Sequence, residues 1–125
     1  MKKIDLHIHT ISTISDYEYV FDFSKLEEYV EQLEIDCIAI TNHNTFDLNQ
    51  YNKIKDNLNI VVFPGIEIDL EGGHLLVISD NIDISEINDF SKKCARIKEL
   101  IKSRNDYISL AQFKEIFPIL DKYLL

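Results

Sequence analysis

The sequence predicts an α/β fold in which about four strands, of the parallel type, are covered on the outside by helices. Short apolar segments alternate along the chain with segments whose apolar residues recur at helical spacing. Such alternation is typical of parallel strands joined by right-handed crossovers. The first strand carries Asp and His on one face and only apolar residues on the other, whereas an inner strand of a doubly wound sheet is apolar on both faces. We therefore expect a barrel with a polar interior.

The first strand is predicted over residues 3–9, where apolar and polar residues alternate strictly. Ile4, Leu6 and Ile8 form the face that is expected to meet the helices. The acidic and histidine residues between them are expected to face the barrel interior.

Two helices and a second strand follow. Ser24 and Glu27 have the spacing of a capping box, which predicts a helix over residues 24–33. Residues 37–41 form a short apolar strand, and residues 48–58 repeat apolar side chains at helical spacing. This order of elements, strand, helix, strand and helix, is the one that parallel pairing requires.

The third and fourth strands are bounded by proline and glycine. We expect a strand over residues 60–63 that ends at Pro64-Gly65, because proline cannot donate to a strand ladder. Residues 66–68 are expected to be extended, and Gly72-Gly73 turns the chain into a fourth strand over residues 74–79.

The rest of the chain is predicted to be helical. Residues 85–104 form one long helix or two short ones, and Ser109 with Gln112 gives a second capping box for a helix that ends near Pro118. Residues 120–125 resemble the start of a further strand. The apolar face of the first of these helices is expected to consist of Phe90, Cys94, Ile97 and Ile101.

The charge balance excludes some classes of partner. The chain has 22 acidic and 13 basic residues, a formal net charge of −9. Non-specific binding of nucleic acid requires clustered Lys and Arg, and so does docking on an anionic membrane.

No apolar run approaches the roughly 20 residues of a membrane span, and the first residues lack the apolar stretch of a signal peptide. We expect a cytoplasmic protein, in which Cys37 and Cys94 are small buried residues of a reducing compartment.

All four histidines lie at or beside the ends of predicted strands. His7 and His9 close the first strand, His43 follows the second, and His74 begins the fourth; Glu67 follows the third. Sites in parallel α/β folds collect where strands end, a rule that His74 fits least well. The His-x-His spacing places two imidazoles on one face, about 6.5–7 Å apart at Cα, so that both can reach one ion. Such a site suits Zn, Mn or Fe, and the sequence does not choose among them.

Single residues of this set also have a simpler explanation. One histidine on a strand is more often a satisfied core or surface residue than a ligand, and Ser15-Asp16 equally fits a turn or a helix cap. Asp69 and Glu71 flank the glycine turn and are expected to be solvated. The combination of several such residues at strand ends is what favours metal ligation.

Four segments, in order along residues 3–78, resemble motifs of the PHP (polymerase and histidinol phosphatase) domain family. They are Asp5-Leu6-His7-Ile8-His9-Thr10 with Ser15-Asp16, then Ile40-Thr41-Asn42-His43-Asn44, then Pro64-Gly65-Ile66-Glu67-Ile68, and last Gly73-His74-Leu75-Leu76. The run from Phe46-Asp47 to Glu71 also resembles PHP domains fused to a large ATPase module, the TrlF-like proteins.

The resemblance implies a distorted (βα)7 barrel that holds up to three divalent metal ions and hydrolyses phosphoesters by a metal-bound hydroxide. The substrate would be a small phosphate ester or a nucleotide. The residues that match the family's ligands are His7, His9 and Glu67 around one ion, Glu67 and His74 around a second, and Asp16 and His43 around a third. The catalytic residues, acting through bound metal, would be His7, His9 and Glu67.

Two departures from the family pattern bear on activity. Asn42 stands where the family usually has Asp, and it adds no negative charge around the ligands. No histidine follows His74, whereas the family takes further ligands from its C-terminal part, so each metal position would lack one protein ligand. We therefore expect residues 1–125 to be the N-terminal portion of a single PHP-like domain, a partial barrel that pairs with a C-terminal domain or a second copy.

Three functions remain open at this point. The first is a metal-dependent phosphoesterase that is incomplete in this chain. The second is a non-catalytic metal-binding or regulatory PHP module of a larger ATPase-containing protein. The third is an α/β fragment whose site is never assembled.

Overall fold

The computed structural model of the chain describes residues 1–11, 21–80, 83–103 and 107–118. The predicted strand over residues 120–125 lies outside them. The elements are β1 (Ile4–Ile8), α1 (Phe23–Gln32), β2 (Cys37–Ile40), α2 (Leu48–Asn57), β3 (Val61–Leu70), β4 (Gly73–Ile78), α3 (Ile84–Ser103) and α4 (Leu110–Ile116). The predicted α/β class is thereby confirmed. None of these helices is long and apolar enough to cross a membrane.

The four strands form one mixed sheet in the order β1-β2-β3-β4. β1 and β3 both pair in parallel with β2, whereas β4 pairs antiparallel with β3. The prediction that all strands are of the parallel type is therefore wrong for β4. Only Glu71 and Gly72 separate β3 from β4, while a parallel crossover needs a dozen or more residues. Gly72 takes a φ of 92°, which glycine adopts at little cost in a tight turn.

Two apolar clusters join the helices to one face of the sheet. The first packs α1, α2 and Ile87 of α3 against β2 and Val62 of β3. The second packs α3 and α4 against Ile66 and Ile68. Because side chains alternate along a strand, Glu67 points to the opposite face. The predicted apolar face of α3 is buried, namely Phe90, Cys94, Ile97 and Ile101.

β1 is an edge strand, and the predicted burial of its apolar face holds only at its end. Ile8 packs against the first cluster, but Ile4 and Leu6 are 60% and 38% exposed. Within the described part of the chain β1 pairs with β2 alone, so its outer edge has no strand beside it.

Pro64 does not end the third strand, because β3 runs through Pro64-Gly65 for ten residues. The N–H and C=O of one strand residue point to the same edge, and the Pro64 carbonyl accepts a hydrogen bond from the Ser79 N–H at 2.9 Å. If residue 64 had an N–H, this group would point toward Ser79, which lies just beyond Ile78, the last residue of β4. The proline thus removes at most the terminal hydrogen bond of the ladder.

The two predicted capping boxes have different outcomes. At α1 the N-cap is Asp22, whose side chain accepts a hydrogen bond from the Ser24 N–H at 2.9 Å, so the box at Ser24 is wrong. Aspartate caps helices as well as serine does, and it lies two residues upstream. At α4 the box is confirmed, since Ser109 and Gln112 make both of its hydrogen bonds.

Candidate metal centre

Polar side chains gather on the sheet face opposite the helices, at the edge where the parallel strands end. His7 and His9 come from the end of β1, and Glu67 comes from the second half of β3. Because β4 is antiparallel, its first residues lie beside the end of β3, and His74 pairs with Asp69. The reversal of β4 therefore explains why His74, although it begins a strand, lies at the same edge as the other histidines.

His7, His9 and Glu67 present three ligand atoms to one point. Glu67 Oε1 lies 2.8 Å from His9 Nε2 and 3.0 Å from His7 Nε2, and the two Nε2 atoms are 3.2 Å apart. Around a tetrahedral ion at about 2.0–2.1 Å from its ligands, neighbouring ligand atoms are about 3.3 Å apart. The triangle needs only a slight expansion to reach that spacing, so this group could hold a metal ion.

The three ligand residues differ in exposure. The Glu67 side chain is 8% exposed, His9 is 20% exposed and His7 is 50% exposed. The site is therefore anchored on a buried carboxylate and opens to solvent on the His7 side. Three protein ligands would leave a four-coordinate ion one position for water or substrate, as in catalytic rather than purely structural zinc sites.

Glu67 is ionised despite its burial. Burial alone would raise the pKa of Glu67, but hydrogen bonds from His7 and His9 and the charge of His43 lower it, and the net pKa lies below its usual value. At neutral pH the carboxylate is therefore available as an anionic ligand.

The segment after β2 fixes His43 against Glu67. The Glu67 N–H donates to the Asn42 carbonyl at 2.9 Å, and the Asn44 N–H donates to the Glu67 carbonyl at 2.7 Å. These bonds extend the parallel pairing beyond β2. As a result His43 Nε2 lies 3.5 Å from Glu67 Oε1.

Asn42 uses its amide to hold the chain that follows His9. Its Oδ1 accepts hydrogen bonds from the backbone N–H of Thr10 and of Ile11, and its Nδ2 donates to Thr10 Oγ1. Thr10 in turn donates to Gln50 Oε1 and accepts from Gln50 Nε2 through its carbonyl. The role of Gln50 is not predictable from the sequence, because nothing in the helical pattern shows which distant residue a glutamine side chain contacts.

His74 makes its closest contact with Asp69 rather than with Glu67. His74 Nδ1 lies 2.6 Å from Asp69 Oδ1 and 3.9 Å from Glu67 Oε2. The expectation that Asp69 is solvated is wrong, because it also receives a hydrogen bond from Asn44 and its side chain is only 21% exposed. The sequence predicts the turn at Gly72-Gly73, whereas the turn residues are Glu71 and Gly72, and this one-residue shift is what places residue 69 opposite residue 74.

Asp16, the remaining predicted ligand, lies outside the described residues. No protein-family model matches the chain, and no curated protein matches it. The resemblance to the PHP family therefore depends on the four sequence motifs quoted above.

Proposed function

We propose that this chain is a metal-dependent phosphoesterase of the PHP type, with its centre at His7, His9 and Glu67. The observation that carries the proposal is the triangle of ligand atoms, whose edges measure 2.8, 3.0 and 3.2 Å. Two imidazoles and one carboxylate form a ligand set that suits Zn, Mn or Fe. By the family resemblance His43, His74 and Asp16 would extend the site to a second and a third ion.

A divalent ion held there would polarise a phosphoryl oxygen and lower the pKa of a bound water. The protein residues fit that role by their charge. Glu67 supplies one negative charge, while His7 and His9 are neutral ligands when they bind metal, so the loaded centre keeps a net positive charge for a phosphate. His7 lies on the open side, where a substrate would approach.

The substrate class follows from the same site and from the charge of the chain. We propose a small phosphate ester or a nucleotide, because a chain with a net charge of −9 does not attract a long nucleic acid by itself. The metal centre would supply the positive potential that the phosphate needs.

A second candidate function is a non-catalytic metal-binding or regulatory module. The observation that favours it is Asn42, because its neutral amide is engaged with Thr10 and Ile11 and brings no negative charge to the site. This module would bind metal as tightly as the enzyme but would not turn over a phosphate ester.

The test is hydrolysis of p-nitrophenyl phosphate and bis-p-nitrophenyl phosphate by the full chain, loaded with Zn²⁺ or Mn²⁺. We expect metal-dependent hydrolysis that falls at least about tenfold in Glu67→Gln, because a ligand matters at least as much as its hydrogen-bonding neighbours. The matched control is Glu31→Gln on the exposed side of α1, which should leave the rate unchanged. Metal binding without turnover would favour the regulatory module, and a folded chain that binds no metal would overturn both functions.

A further inference from the structure

The Asp69 side chain contacts residues on both sides of β3. Its Oδ1 lies 2.6 Å from His74 Nδ1 on the β4 side. Its Oδ2 accepts a hydrogen bond from Asn44 Nδ2 at 3.0 Å on the side of the loop that carries His43. Asp69 thus links His74 to the loop with His43 through its side chain, beside the backbone hydrogen bonds that Glu67 makes to the same loop.

The orientation of the Asn44 amide is fixed by the backbone. The Asp69 N–H donates to Asn44 Oδ1 at 2.9 Å, and a backbone N–H can only donate. The amide oxygen therefore faces the Asp69 backbone, and the NH₂ group faces the Asp69 carboxylate. Asn44 also has a φ of 54°, a left-handed conformation that asparagine tolerates better than most residues.

The contact with Asp69 determines which nitrogen of His74 carries the proton. An ionised carboxylate only accepts hydrogen bonds, so the 2.6 Å contact requires a proton on His74 Nδ1. In the neutral imidazole the other nitrogen, Nε2, then keeps its lone pair. Metal-binding histidines commonly have this arrangement, with one ring nitrogen donating to a carboxylate and the other available to the ion.

We propose that Asp69 is a positioning residue that holds His74 as the Nδ1–H tautomer, with Asn44 fixing the Asp69 carboxylate. Asp69 acts through His74 and is not itself a ligand. The consequence for metal binding rests on the proposed function, but the tautomer can be measured in the metal-free protein.

The structure makes a definite prediction for Asp69→Asn. Asn44 Nδ2 needs an acceptor, so the oxygen of the new amide turns to Asn44 and its NH₂ group turns to His74. That NH₂ group donates to His74 Nδ1, which must then give up its proton, and the ring changes to the Nε2–H tautomer. The matched control is Glu71→Gln, an exposed acid in the turn two residues after Asp69.

The experiment is long-range ¹H–¹⁵N NMR of the four imidazole rings in the metal-free full chain, at a pH where His74 is neutral. The His74 signals are assigned as those lost in His74→Gln. We expect Nδ1–H in the wild type and in Glu71→Gln, and Nε2–H in Asp69→Asn. A wild-type His74 in the Nε2–H form, or an Asp69→Asn spectrum with His74 unchanged, would overturn the proposal, and loss of the fold would change the signals of all four rings instead.

Titration of the same three proteins with Mn²⁺ tests the consequence. The affinity for a second Mn²⁺ ion, the one that His74 would bind, should fall about 10–100-fold in Asp69→Asn, the usual effect of removing a hydrogen-bonding partner of a ligand, and stay unchanged in Glu71→Gln. Equal binding by all three would show that the tautomer of His74 does not serve metal binding. If no protein binds Mn²⁺, the proposed function fails while the NMR result still decides the role of Asp69.

Discussion

The side-chain oxygen of Asn42 lies 2.6 Å from the backbone nitrogen of Thr10 and accepts its hydrogen bond. Asn42 is 2% exposed and Thr10 is 1% exposed, so water cannot replace this bond if it is lost. Thr10 directly follows His9, and the position of that imidazole therefore depends on a residue that is not itself part of the ligand triangle.

Substitution of Asn42 should lower stability, because its buried amide makes three hydrogen bonds to Thr10 and Ile11. Asn42→Ala removes the acceptor for two backbone N–H groups, and we expect it to reduce the free energy of unfolding by about 1–3 kcal/mol. Asn42→Asp keeps an acceptor for both N–H groups, but it loses the Nδ2 donor to Thr10 Oγ1 and buries a charge, so it should also be less stable than the wild type. Urea unfolding followed by circular dichroism measures the effect.

The matched control for Asn42 is Asn59→Ala, at an exposed position. It should change stability by less than about 0.5 kcal/mol. Equal stabilities of the Asn42→Ala and Asn59→Ala proteins would contradict the structural role of Asn42.

Gly65 is required by a close approach of three strands. A β-carbon at this position would lie 2.9 Å from Thr41 Cγ2 and 3.0 Å from the carbonyl oxygens of both Ile40 and Val77. The two carbonyls belong to the strands on either side and cannot move independently of the sheet. We expect Gly65→Ala to destabilise the protein by about 1–3 kcal/mol, as overpacking of a core does.

Gly73→Ala is the control for Gly65→Ala, because a β-carbon at residue 73 meets nothing within 4 Å. Thermal unfolding of the two variants, measured side by side, should show a clear loss for Gly65→Ala and little change for Gly73→Ala. The close approach would be refuted by a Gly65→Ala protein as stable as the wild type.

Tyr51 should make stability depend on alkaline pH. Its hydroxyl donates to the Val62 carbonyl at 2.7 Å, and burial, with the charge of Asp56, raises its pKa to about 12. The usual value is about 10, so the folded state binds this proton more tightly than the unfolded state. The stabilisation is complete below pH 10 and is lost as pH rises toward 12.

Tyr51→Phe isolates this contribution. At neutral pH it should reduce the free energy of unfolding by about 1–2 kcal/mol, since the Val62 carbonyl loses its donor. Between pH 9 and 11.5 its stability should fall less steeply than that of the wild type. The free energy of unfolding is measured by urea titration at each pH. If it falls equally steeply with pH in the two proteins, the raised pKa of Tyr51 is refuted.

The sequence predicts the fold well where local pattern and tertiary structure agree. The helical face of α3 and the capping box at Ser109 both follow from residues that are three or four positions apart in the sequence. The local pattern wrongly predicts a strand end at Pro64, because the cost of a missing N–H depends on where the neighbouring strand ends. That information lies in the hairpin, some fourteen residues further along the chain.

The candidate site shows the same limit. Strand alternation and the His-x-His spacing were enough to single out His7 and His9, and the strand-end rule added Glu67. The roles of Asp69 and Asn44 could not be seen in this way, because their contacts join the turn after β2 to the end of β3. Only the antiparallel direction of β4 explains why His74 reaches Asp69 at all.

The most direct test of the metal centre is a calorimetric titration of Zn²⁺ into the metal-free full chain at neutral pH. The wild type and Glu31→Gln should bind with the same affinity, whereas Glu67→Gln should lose at least about tenfold, because the buried carboxylate is the common neighbour of His7 and His9. Circular dichroism should confirm that all three proteins are folded. Equal affinity of the wild type and Glu67→Gln would contradict the centre built on His7, His9 and Glu67.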